Sequence, residues 1–74
     1  MLQQGNTSLM NGNIQEAEGF YQNILVSQQT HSDANHNLGL IAVSKNQSGV
    51  ALSMFKIAID ANPNIEQYWL SYIA

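Results

Sequence analysis

Residues 33–63 read DANHNLGLIAVSKNQSGVALSMFKIAIDANP. Two apolar stripes run through this segment. Ala34, Leu38, Ile41, Ala42 and Lys45 recur at helical intervals, and so, after a polar break at Asn46 to Gly49, do Ala51, Met54, Phe55, Ala58 and Ile59. Such spacing places the side chains on one face of an α-helix. Pro63 closes the second run, because it cannot continue a helix and disfavours helix in the residue before it. The segment therefore predicts helices over about 32–45 and 48–61, and the short loop between them implies antiparallel neighbours.

The same signals extend in both directions. Upstream, Ile14, Ala17, Tyr21, Ile24, Leu25 and Gln28 form a stripe over 14–28, after an Asn11-Gly12-Asn13 turn. Asn13 with Glu16 three residues later resembles a capping box with Asn in the leading place. Residues 1–11 carry Leu2, Leu9 and Met10, with Gly5 inside, and are read as a first helix. Downstream, Ile65, Tyr68, Trp69, Tyr72 and Ile73 give a last helix over 65–74, with Asn64 and Gln67 as its cap. No segment shows sustained period-two alternation, so no sheet is expected. The fold class expected is all-α, with five helices.

The chain also repeats itself. A shift of 34 residues lays Gly5 on Gly39, Ala17 on Ala51, Tyr21 on Phe55, Leu25 on Ile59 and Leu38 on Tyr72. Glycine and alanine at matched places let paired helices approach closely. Tyr21 and Phe55 would fill the space between pairs. A single pair cannot bury its apolar face alone, so neighbours must stack. An irregular five-helix bundle with accidental spacing is the plainer alternative.

With Leu38-Gly39, Ala42, Ala51, Phe55, Ala58 and Pro63, the middle copy resembles the tetratricopeptide repeat family. The first copy offers Gly5, Gly12, Ala17 and Tyr21 but has Gln29 where the proline belongs, and Asn35 replaces the leading tryptophan of the middle copy. The third copy starts with Trp69 and Tyr72 and stops after one helix. The resemblance covers essentially the whole chain. It implies a single domain over 1–74: repeat one at 1–31, repeat two at 32–65, and the first helix of a third repeat at 66–74. It also implies helix-turn-helix pairs stacked as a short right-handed α-solenoid, cut from a longer array.

Composition narrows the function. Charged residues are 9% of the chain, the net charge is −3, and Lys45 and Lys56 are the only basic residues. Phosphate neutralisation needs clustered Lys and Arg, so neither nucleic acid nor an anionic membrane surface is an expected partner. Asn and Gln supply the polarity, 17 of 74 residues, but apolar residues interrupt them too often for a disordered amide tract. Cysteine is absent, which removes disulfides and thiolate metal sites and fits a reducing compartment. A cytoplasmic location is expected, with no membrane span and no signal peptide.

Chemistry is equally sparse. His31 and His36 are five apart and do not share a helix face. No carboxylate pair completes a zinc set with them, and His31 reads as a solvated turn residue. Glu16 and Glu18 read as solvated charges. The glycines do not form a phosphate loop. No catalytic, cofactor or metal residue is assigned, and the chain is not expected to be an enzyme.

What remains is surface. In the family the first helix of each repeat lines a concave groove that binds peptides. Here that implies Leu2, Asn6, Leu9 and Met10 from the first copy, Asp33, His36, Asn37, Leu40, Val43 and Ser44 from the second, and Gln67 and Leu70 from the third. Independently, His36, Leu40 and Val43 follow i, i+4, i+7 opposite Leu38, Ile41 and Ala42. The clamp that grips chaperone C-termini is not matched beyond Asn6, since Leu2, Leu40, Leu70 and Ala74 hold its other places. An asparagine ladder like that of some sugar-transferase arrays is matched only by Asn37, with Gln3 and Ser71 at the equivalent places. The primary expectation is a module that presents a weakly acidic, mostly apolar groove to a protein or peptide. A second expectation is self-association as a homo-oligomer through Tyr68, Trp69, Tyr72 and Ile73, which crowd one short helix. A third is a repeat appendage of a larger glycosyltransferase- or sulfotransferase-type enzyme.

Overall fold

The computed structural model describes residues 2–73, apart from the side chains of Ser8 and Leu9. They form five helices: α1 (Leu2–Met10), α2 (Ile14–Ser27), α3 (Ser32–Ser44), α4 (Ser48–Ala61) and α5 (Glu66–Ile73). There is no strand among the described residues. Each helix lies within a residue or two of its expected bounds.

Local chemistry explains the boundaries. Asn13 Oδ1 accepts from the Glu16 backbone N–H at 3.3 Å, and Asn13 Nδ2 donates to Glu16 Oε2 at 2.9 Å, which caps α2. The return bond of a capping box normally reaches the cap backbone; here it reaches the cap side chain. Gly12 supplies the positive φ of 78° in the preceding turn. His31 differs from its reading as a solvated residue. It is half-buried, and its Nδ1 accepts from the Ala34 N–H at 3.1 Å as the N-cap of α3. The C-terminus of α3 is a Schellman turn: Asn46 has φ 61°, its N–H donates to the Val43 carbonyl, and the Gln47 N–H reaches back to that of Ala42 at 2.9 Å. Asn62-Pro63-Asn64 separates α4 from α5, as the proline requires.

Each helix packs against its neighbours in the chain, and α3 with α4 is the most intimate pair. One core cluster joins Ala17, Tyr21 and Ile24 of α2 to Ala34, Leu38 and Ile41 of α3, with Leu2, Leu25 and Met54 against it. A second joins Ala42 of α3 to Ala51 and Phe55 of α4, and a third joins Ala58 and Ile59 to Tyr68 of α5. Tyr72 touches both of these. The radius of gyration of 11.2 Å matches the roughly 11 Å of a folded chain this long.

Two contacts 34 residues apart have the same form. A Cβ on Gly5 would lie 2.7 Å from the Tyr21 ring, and a Cβ on Gly39 would collide with the Phe55 ring. In each case the ring occupies the volume that glycine leaves free, so these two glycines are required by close approach.

Candidate functional site

Hydrogen bonds tie α1, α3 and α5 together even though they are not consecutive in the chain. The Asn37 amide on α3 donates to Asn6 Oδ1 on α1 at 3.3 Å. The same oxygen accepts from the Tyr21 hydroxyl at 2.6 Å. On the other side, His36 Nε2 and the Ser71 hydroxyl of α5 share a bond of 2.7 Å. The Tyr68 hydroxyl donates to the Asp33 carboxylate and lies 3.4 Å from Ser32 Oγ.

On α3, Asp33, Asn37, Leu40 and Ser44 follow i, i+4, i+7, i+11 and so share a face. Asp33 and Ser44 are exposed and Asn37 is half-buried. Leu40 is 40% exposed and Val43 53%. The Ser44 hydroxyl turns back onto the Ile41 carbonyl at 2.6 Å, so it is already engaged. Met10 is almost fully exposed at the end of α1, and Gln67 and Leu70 are exposed one turn apart on α5. Leu2 is half-buried against the first core cluster. Leu9 lies outside the described side chains. The structure thus joins Asn6 to Asn37 directly, and leaves Leu40, Val43 and Leu70 as exposed apolar residues on helices of the same bonded set.

Two expected surface residues are interior. His36 is 7% exposed, its ring 5.6 Å from that of Phe55 on α4 and 4.8 Å from that of Tyr68 on α5. It cannot line an open groove, because α5 covers it. Burial holds its imidazole below the usual histidine range, against the opposing charge of Asp33 and a hydrogen bond with Asn37. Tyr68 is 4% exposed, so it belongs to the core and not to an external contact. Burial pushes its phenol up, helped by the hydrogen bond to Asp33.

The rest of the aromatic helix is more open. Trp69 is 45% exposed, with Nε1 donating to the Pro63 carbonyl at 2.9 Å, Ile73 is 74% exposed, and Tyr72 is half-buried. Tyr72 and Ile73 line a cleft of about 440 Å³ with Val43, Phe55 and Leu52. Val43, expected on the groove, therefore also meets the residues expected for self-association. The sequence reading passed over Leu52 and Ser71. Leu52 had a usable signal: it is an apolar residue off the stripe of its own helix. Ser71 had none, since its role depends on His36, 35 residues away.

Charge plays little part. Glu18 differs from its reading as a solvated residue, because it pairs with Lys45 at 2.9 Å. Among the described residues no three His, Asp or Glu side chains gather as a metal site would require. No helix among them is long and apolar enough to cross a membrane. No protein-family model, no curated protein and no solved structure matches the chain.

Proposed function

We propose that the chain is a short right-handed α-solenoid of tetratricopeptide-type repeats, and that it binds a peptide or partner protein on the face carried by α1, α3 and α5. The equivalent contacts of Gly5 with Tyr21 and Gly39 with Phe55 support the repeat. The observation that carries the binding role is the exposure of Leu40 and Leu70 beside the joined amides of Asn6 and Asn37. Apolar side chains left uncovered next to fixed polar groups suit an extended segment, whose side chains take the apolar places and whose backbone meets the amides. The test is selection of a displayed random-peptide library on the chain, followed by the Leu40→Asp variant. The folded variant should lose the selected peptides at least tenfold. Peptides that bind it as well as the parent, or no enrichment at all, would sink the reading.

A second reading is self-association through α5, favoured by the cleft between α4 and α5 and by the exposure of Ile73 and Trp69. Light scattering over a wide concentration range decides it. A dimer that Trp69→Ala or Ile73→Asp dissociates supports it, and a monomer throughout removes it.

A further inference from the structure

The last helix is held on the others by an unusual set of groups. It has eight residues, and a helix shorter than about 12–15 residues is marginal in water without packing partners. Its one fully buried side chain is Tyr68. That ring rests on His36, and Ser71, one turn further along α5, meets the His36 ring nitrogen at 2.7 Å. His36 also touches Phe55, so a single imidazole sits where α3, α4 and α5 meet. Nothing in the groove or self-association readings uses it.

We propose that His36 is a pH-sensitive latch: its neutral imidazole keeps α5 docked on α3 and α4, and its protonation releases α5 and uncovers the apolar surface around Phe55. A charged imidazole in this place would lie between two aromatic rings, with little access to water. The charge that acts on it is Asp33, one turn earlier on α3, whose carboxylate already accepts from Tyr68. Tyr68 is the titratable group facing it from α5. From α4 it meets Phe55, while Lys56, Asp60 and Glu66 are all solvent-exposed. Burial outweighs the attraction of Asp33 and lowers the affinity of the docked ring for a proton. In the undocked state the ring returns to its ordinary value near 6.5. The undocked form then binds more protons, so docking is strongest above that value and weakens as the pH falls below it. Since α5 melts when released, the change is local order to disorder and not rotation of a rigid body.

The single Trp69 reports on α5. Its emission and the helical circular dichroism are followed from about pH 7.5 to about pH 5.5, the range in which histidine titrates. The expected result is a red shift of Trp69 with a loss of helical signal no larger than the share of α5. His36→Gln should abolish the pH dependence. His31→Asn, which replaces the other histidine with a non-titrating cap residue, should retain it. A flat Trp69 signal in the parent, or a transition that survives in His36→Gln, overturns the latch. If His36→Gln fails to fold, the His36 ring signals of the parent are titrated by NMR. Titration at or above the ordinary histidine value then overturns it, and titration below it with α5 amides shifting in parallel supports it.

Discussion

Asn35 and Trp69 stand 34 residues apart and make the same hydrogen bond. Asn35 Nδ2 donates to the Gln29 carbonyl at 3.1 Å, and Trp69 Nε1 donates to the Pro63 carbonyl at 2.9 Å. Each reaches back six residues and pins the turn before its helix. Two unlike side chains thus do one job at equivalent places, and the loss of the leading tryptophan in the middle copy is made good by an amide. Their surroundings differ: Asn35 is 2% exposed, and Trp69 is 45% exposed.

That difference sets the first prediction. Asn35 also donates to the His31 carbonyl at 3.0 Å, so Asn35→Ala leaves buried acceptors unpaired. It should cost about 1–3 kcal/mol. Trp69→Phe removes one bond that water can replace and should cost about 1 kcal/mol or less. Urea denaturation compares the two, and equal losses would contradict the burial argument.

The glycines give a second prediction. Alanine is favoured over glycine inside a helix by about 1 kcal/mol. Gly19 is exposed with open space around it, so Gly19→Ala should stabilise the fold by up to that amount. Gly39→Ala meets the Phe55 ring, and overpacking should reverse the sign to a net loss of about 1–3 kcal/mol. Thermal melting of both variants checks the opposite signs.

Alkaline pH should weaken the fold. Burial pushes up the phenols of Tyr21 and Tyr68, with the charge of Asp33 adding to it in Tyr21 and the Asp33 hydrogen bond in Tyr68. Their folded values are raised above the unfolded value of 10.0. The native state then holds more protons, and stability falls as pH rises through that value. Tyr68→Phe should flatten the slope, as measured by denaturation midpoints on either side of it.

The Lys45–Glu18 pair is partly solvated on both sides. Lys45→Gln should therefore cost under about 1 kcal/mol, an effect that shrinks further in high salt. A larger, salt-insensitive loss would mean that the aliphatic stem of Lys45 matters more than its charge.

Much of this protein was legible in the chain itself. Helix ends follow from signals a few residues long: the Asn13–Glu16 cap, the turns at Gly12 and Asn46, and the stop at Pro63. Such signals act locally, so periodicity and caps suffice to place five helices. The pairing of Gly5 with Tyr21 and of Gly39 with Phe55 was visible as a period of 34, because size must match where helices touch. The sequence left open which exposed-looking stripe would be covered. His36 lies on the same helical face as Leu40 and Val43, yet it is buried while they are not. Only the return of α5, 35 residues later, makes that distinction, by setting Tyr68 and Ser71 over one turn of α3 and leaving the next turn open. Burial of a helix face is a property of what lies across from it, and no pattern within the helix records that.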